Sequence, residues 1–174
     1  KSVNVKVITS LLIRLGYAPV VVGNGKLALD KAQVRLGPSI PDMNGVTGDV
    51  LFTESRLLIP AVRAQVLGAE ARLEGGLAFT PQALADSSKP TTPKVSGVAT
   101  AAGLRNQRQL AWLARLAEQF EGSARYEMGL VMRDGQLNWL LSSNLLGLSS
   151  SLPAPLDKMS GQSLPLRLES RSQA

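Results

Sequence analysis

The sequence predicts a mostly β fold, α+β overall, in which antiparallel strands form the sheet and one helix packs over a sheet edge or face. Three observations support this prediction. Apolar and polar residues alternate with a period of two over residues 46–79, the period becomes helical over 106–120, and Asp134-Gly135 separates two further alternating runs. With 174 residues and 44% hydrophobic content, the chain is expected to fold around one core or two small ones.

The N-terminal segment, residues 1–45, has more than one interpretation. Residues 18–22 resemble a strand, Gly23-Asn24-Gly25 a hairpin turn and residues 26–36 a second strand, although a helix also fits the last of these. Residues 23–28 match the loose G-x-G-x-x-A dinucleotide fingerprint, in which bare backbone lets a pyrophosphate approach a helix N-terminus. Because no clear βαβ unit surrounds the match, the Asn-Gly hairpin is favoured.

The same segment also resembles a response-regulator receiver domain, through residues 7–17, 20–30 and 41–45. The stretch between Asp30 and Pro41 is too short for the third receiver strand. Counting back four positions from Pro41 places Gly37 where the phosphoacceptor would stand, and glycine cannot be phosphorylated. A degenerate, receiver-like domain is therefore the third and least favoured interpretation, without phosphotransfer.

Residues 46–84 are predicted to form a meander of short antiparallel strands. Gly68 interrupts the alternation and Gly75-Gly76 ends it. One alternating set comprises Val46, Gly48, Val50 and Phe52, then Val62, Ala64 and Val66, then Ala71 and Leu73.

Residues 85–94 combine two prolines with Ser, Thr and Lys, a composition that predicts a mobile loop. The last segment, residues 95–174, then begins with a strand over 95–100. Its predicted helix spans 106–120 and ends before Gly122, with a buried apolar stripe. The stripe consists of Leu110, Leu113, Ala117 and Phe120.

A β-hairpin is predicted from Arg125 to Ser143, because Asp-Gly between alternating runs favours a tight turn. One face of the two strands is apolar. Its residues are Tyr126, Met128, Leu130 and Met132 on the first strand, with Leu137, Trp139 and Leu141 on the second. In an ordinary β-protein this face would pack in a closed core. The Ser- and Pro-rich tail contains one more strand candidate, residues 164–169.

The chain contains neither Cys nor His. Their absence excludes disulfides, thiolate ligands, Ser-His-Asp and Cys-His catalysis and the commonest transition-metal ligand. We therefore expect no enzymatic activity, no catalytic or metal-binding residue and no cofactor.

The formal net charge is +6, but the nineteen Lys and Arg residues are spread singly along the chain. Since aromatic residues are only 4%, stacking platforms for bases are scarce, and no nucleic-acid partner is expected. No stretch has the roughly 18 to 20 apolar residues that span a bilayer. The chain opens at Lys1 without an initiator Met or a signal peptide, which predicts an excerpt of a longer polypeptide.

From near Gly25 to its end, the chain resembles a late section of the AsmA-like, YhdP-type envelope proteins. The order of several passages carries the resemblance: residues 45–52, 59–73, 95–104, 120–126, 152–156 and 164–168. The resemblance implies a long periplasmic protein, anchored in the inner membrane, whose stacked strands form an open, groove-like sheet carrying phospholipid towards the outer membrane.

On this resemblance, the seven residues of the hairpin face would line the groove. The expected partners are phospholipid acyl chains and the rest of the same polypeptide. A rival hypothesis is a structural or partner-binding β-module, in which the apolar faces close on each other and exposed strand edges pair with a neighbour.

Overall fold

The computed structural model describes residues 25–35, 40–78, 81–85, 92–107, 110–133 and 136–170. These residues form nine strands, three short α-helices and one 3-10 turn. The strands are β1 (Gly25–Val34), β2 (Met43–Phe52), β3 (Arg56–Val66), β4 (Ala69–Ala78), β5 (Lys94–Thr100), β6 (Phe120–Arg133), β7 (Gln136–Ser143), β8 (Leu148–Ser150) and β9 (Leu166–Glu169). The helices are α1 (Pro81–Ala85), α2 (Ala101–Arg105) and α3 (Ala111–Leu116), and the 3-10 turn is Ala117–Gln119.

The chain divides into two compact units. The first comprises the residues up to Ala64 and Arg72–Pro93, and the second comprises Gln65–Ala71 and the residues from Lys94 onward. Strand order is β1-β2-β3-β4 in the first and β5-β6-β7-β9 in the second, where β8 also pairs with β6. In neither unit does the last strand of this order pair with the first within the described ranges, so the order is open. The prediction of a mostly antiparallel, open β-structure is confirmed, with less helix than expected.

In the first unit, alternation along β2 produces one buried face. Val46, Val50 and Phe52 are buried, whereas Thr47 between them is exposed. Phe52 pairs with Gly25 across β1, and a Cβ atom on Gly25 would overlap the Phe52 ring. Glycine at this position therefore lets the aromatic ring lie across the neighbouring strand.

Strand β1 distinguishes between some of the interpretations given above for the N-terminal segment. Residues 25–34 form a strand, irregular near Lys31 and Ala32, that pairs with β2, so the predicted strand over 26–36 is confirmed for residues 26–34. The dinucleotide interpretation is wrong, because it needs a helix after Gly25 and a strand is found there. The receiver likeness placed a helix before Asp30, and this helix is wrong because the same strand occupies those residues. The predicted strand over 18–22, and Gly23 and Asn24 of the proposed turn, lie outside the described residues.

The turn between β3 and β4 consists of Leu67 and Gly68, both with positive φ (54° and 88°), as a two-residue hairpin turn requires. The Leu67 carbonyl accepts a hydrogen bond from the Thr100 amide at 3.0 Å. The Thr100 hydroxyl caps α2 by accepting from the Gly103 amide at 2.9 Å. A Cβ atom on Gly103 would overlap the Leu67 carbonyl. Gly68 in the turn and Gly103 in the helix thus let the hairpin turn pack directly on α2.

The prediction of one helix over 106–120 is wrong. Helix α2 precedes that range, α3 covers only Ala111–Leu116, and Phe120 begins strand β6. Leu110 has φ −111° and ψ 61°, a non-helical conformation that separates the two helices. The apolar period is real, but it continues through a 3-10 turn into a strand.

The predicted buried stripe is also only partly correct. Ala117 is fully buried, whereas Leu110, Leu113 and Phe120 are half-buried. No residue of α3 is fully buried, and Trp112 is 53% exposed. A helix of six residues lacks the length to bury a continuous stripe.

Helix α1 was not predicted, and it occupies the end of the range assigned to the meander. Of the predicted loop over 85–94, residues 86–91 lie outside the described ranges, and the strand expected from residue 95 begins at Lys94. The predicted hairpin is confirmed: Arg133 pairs with Gln136, which leaves a connection of two residues. The strand candidate in the tail is confirmed as β9.

The connection between β8 and β9 is fixed by the buried residue Lys158. Its ammonium group donates to the carbonyl oxygens of Leu145 at 2.9 Å, Met159 at 3.1 Å and Leu148. All three ammonium protons therefore have acceptors, which offsets the cost of burying the charge. This arrangement holds the chain that leads to β9.

Candidate functional site

The register of β6 and β7 places on one face of the second unit the five predicted residues whose side chains the structure describes: Tyr126, Met128, Leu130, Trp139 and Leu141. Leu130 lies opposite Trp139, Met128 opposite Leu141, and Met132 opposite Leu137. Directly opposed residues of antiparallel strands project to the same side of a sheet, and Tyr126 follows Met128 by two residues. We call this the apolar face of the second unit.

The apolar face extends over two further strands. Val95 on β5 pairs with Met128, and Leu168 on β9 pairs with Leu141. Val95, Met128, Leu141 and Leu168 therefore form one row across four strands. Leu166 joins the face opposite Ser143.

Sequence reasoning missed Val95, Leu166 and Leu168 as members of this face. Each lies in a segment that was predicted as a strand, so the alternation was visible. The missing information was the pairing partner of each strand, which alternation within a strand does not contain.

The Tyr126 side chain lies over the neighbouring strand β5. It pairs with Gly97, where a Cβ atom would lie 3.1 Å from the Tyr126 hydroxyl oxygen and 2.9 Å from the Cβ atom of Ala71. The phenol therefore extends across β5 in the space that glycine leaves open. The first unit has the same kind of pair in Gly25 and Phe52.

Exposure changes across the face. Tyr126, Met128 and Leu130 on β6 are only 4 to 5% exposed. Trp139 and Leu141 on β7, and Leu166 and Leu168 on β9, are half-buried. The side chains of Met132 and Leu137 lie outside the described set. The predicted contact residues thus divide into a sealed group on β6 and an accessible group on β7, and the accessible region continues onto β9.

Two polar atoms belong to this otherwise apolar face. The Tyr126 hydroxyl and the Trp139 indole nitrogen are buried and have no hydrogen-bond partner among the described residues. Burial raises the pKa of Tyr126 to about 12, so the phenol remains neutral at physiological pH. The charged residues Arg125 and Glu127 alternate with these positions on β6 and are exposed.

This arrangement can bind apolar chains by removing them from water. Within the described ranges, no group of three acidic side chains is placed to hold a metal ion. None of the described helices combines the length and apolar character that crossing a bilayer requires.

The fold and face define a β-sheet module with an apolar surface, open along β7 and β9. The family model of the YhdP protein matches residues 4–174, and the chain belongs to this family of cell-envelope proteins. The match begins earlier than Gly25, where the sequence resemblance was placed, and it includes the segment that resembled a receiver domain. The receiver likeness is therefore not supported. No curated protein and no solved structure matches the chain.

Proposed function

We propose that the chain guides phospholipid acyl chains along the accessible part of its apolar face, formed by β7 and β9. It does so as a segment of a periplasmic protein that is anchored in the inner membrane and carries phospholipid between the inner and outer membranes. The observation that carries this proposal is the row from Val95 to Leu168, which is sealed at Met128 and half-buried at Leu141 and Leu168. Membership of the YhdP family supports it.

The physical basis is burial of methylene groups, which contributes about 0.8 kcal/mol for each group removed from water. Since this attraction is non-directional, a chain can move along leucine side chains without breaking specific bonds. No covalent step is needed, so we propose neither an enzymatic activity nor a cofactor. The partners are acyl chains and the rest of the same polypeptide, with no nucleic acid.

The test uses two adjacent positions on β9. Leu168 belongs to the apolar face and is half-buried, whereas Arg167 alternates with it and is exposed. A photo-crosslinking residue at either position in the intact protein, irradiated in cells, reports which lipids lie within a few ångströms. Phospholipid adducts at Leu168 and none at Arg167 are expected.

Equal adduct formation at the two positions would indicate non-specific contact with lipid. Absence of adducts at both Leu168 and Leu141, with the protein folded and abundant, would remove the basis of the proposal. Because both positions are partly exposed, the substitutions are expected to preserve the fold.

The second candidate function is a structural or partner-binding β-module. The sealing of Tyr126, Met128 and Leu130 favours it, because such burial is typical of a closed core. In that case a protein segment covers Leu141 and Leu168, and the crosslinks at Leu168 join protein to protein instead of protein to lipid. The mass of the adduct therefore separates the two functions.

A further inference from the structure

We infer that Trp139 donates its indole N–H to an ester carbonyl of the bound phospholipid, so that the apolar face prefers ester-linked to ether-linked lipids. This inference rests on the proposed function and names the chemical group that the face recognises. Its starting point is a donor that the protein itself leaves unused.

The indole nitrogen of Trp139 is buried without a hydrogen-bond partner among the described residues, while the side chain as a whole is half-buried. A donor removed from water without an acceptor is costly, and indole N–H groups in folded proteins usually have a partner. Because the side chain is only half-buried, part of the ring borders the accessible side of the face, and the inference requires the ring to turn so that its buried N–H meets an acceptor on a ligand lying there.

The backbone of Trp139 is held firmly. Its amide donates to the Ser170 hydroxyl at 2.9 Å, and its carbonyl accepts from the Ser170 amide at 2.9 Å. Both backbone groups are thus paired, and only the side-chain donor remains. Leu141, on the same face two residues further along β7, begins the apolar row that continues to Leu168.

The surroundings select the kind of acceptor. A phosphate group among leucine side chains would lose much of its hydration without a compensating cation, whereas an ester carbonyl is neutral and accepts one hydrogen bond at small cost. The ester carbonyl is also joined directly to the methylene chain that the row buries. An acyl chain lying on Leu141 and Leu168 therefore brings its carbonyl towards Trp139.

Tyr126 provides an internal comparison. Its hydroxyl is also unpaired and lies on the same face, but the side chain is 5% exposed and extends across Gly97. A lipid on β7 and β9 does not reach it. Both donor atoms are buried, but the Trp139 side chain is half-buried whereas the Tyr126 side chain is sealed. Only Trp139 borders the accessible part of the face, and only Trp139 is expected to affect lipid preference.

The experiment measures preference between two phosphatidylglycerols with equal chain length, one with ester-linked and one with ether-linked chains. The purified intact protein, with the photo-crosslinking residue at Leu168, is irradiated with vesicles containing equal amounts of both. Since a neutral hydrogen bond changes an equilibrium by about fivefold, the expected adduct ratio is about five in favour of the ester. Trp139→Phe should bring the ratio close to one without lowering the ether adduct, and Tyr126→Phe should leave it at about five.

Equal adducts of both lipids with the unaltered protein would overturn the inference while leaving the proposed function intact. An ester preference that survives Trp139→Phe would overturn it as well. If neither lipid forms adducts, the proposed function fails first and the inference falls with it. A ratio near one on the unaltered protein overturns the inference even if a variant does not fold.

Discussion

Replacing Tyr126 with phenylalanine removes one oxygen atom from the sealed part of the apolar face. In the folded chain this hydroxyl is buried and lacks a partner among the described residues, whereas in the unfolded chain it is hydrated. Leaving a polar group in this state costs about 1 to 3 kcal/mol. Tyr126→Phe should therefore raise the free energy of unfolding by about that amount at pH 7, although most core substitutions lower it.

The effect should grow at alkaline pH. The pKa of Tyr126 is about 12 in the folded chain and 10.0 for an unperturbed phenol, and the cause is burial. Stability from the neutral phenol is complete below pH 10 and declines as the pH rises towards 12, because the unfolded state releases the proton first. The difference between Tyr126→Phe and the unaltered chain should thus increase by a further 2 to 3 kcal/mol, roughly, over this range.

Denaturant unfolding of both chains at pH 7 and at several values between 9 and 12 measures the two contributions. Other titrating groups change both chains alike, so their effects cancel in the difference. A loss of stability of 1 kcal/mol or more at pH 7 would mean that the hydroxyl makes a hydrogen bond. Parallel pH profiles would refute the assigned burial of the phenol.

Three further predictions concern packing, the buried charge and the face. Gly103→Ala should destabilise the chain by about 1 to 3 kcal/mol in denaturant unfolding, because the added methyl group overlaps the hairpin turn. This loss is expected although alanine favours helices. In the control variant Gly129→Ala the methyl group meets open space, so the stability should be unchanged or higher. Lys158→Met should cost about 3 kcal/mol in the same assay by removing a donor from three carbonyl groups, of which those of Leu145 and Met159 keep another donor, the amides of Leu148 and Gln162; an unchanged midpoint would contradict its role. Leu130→Asp should unfold the second unit, measured by circular dichroism, whereas Leu168→Asp should fold and lose lipid crosslinks to a photo-crosslinking residue at Leu141; unfolding of both would count against an accessible β9.

The strands and the hairpin were predictable because their signals are local. Alternation over residues 46–73 requires only that one side of each strand is buried, and Asp134-Gly135 fixes a two-residue connection whatever surrounds it. The strand over 26–34 was harder, because the glycines before it fitted a dinucleotide fingerprint as well as the favoured hairpin turn, and a helix also fitted the residues after them. The actual role of Gly25, making room for Phe52, depends on a pairing partner some 27 positions further along the chain.

The helix was overextended for a physical reason. Residues at positions 110, 113, 117 and 120 satisfy a helical period, but the period does not require that one helix contain them all. The Thr100 cap and the contact of Gly103 with Leu67 begin a helix earlier, and the chain then turns at Leu110 before α3. The cap joins Thr100 to Gly103 only three positions away, but the contacts of Thr100 and Gly103 with Leu67 join residues more than thirty positions apart, and a short sequence window does not contain them.

The site shows the same division between local and distant information. Alternation correctly placed Tyr126, Leu130 and Trp139 among residues of one face, but it treated them as equivalent. The structure separates them: residues on β6 are buried, and those on β7 and β9 are half-buried. The exposure of a sheet face depends on what packs against that face, which alternation within one strand does not contain. The leucines of β9, the least conspicuous strand in the sequence, therefore become the decisive positions for testing lipid contact.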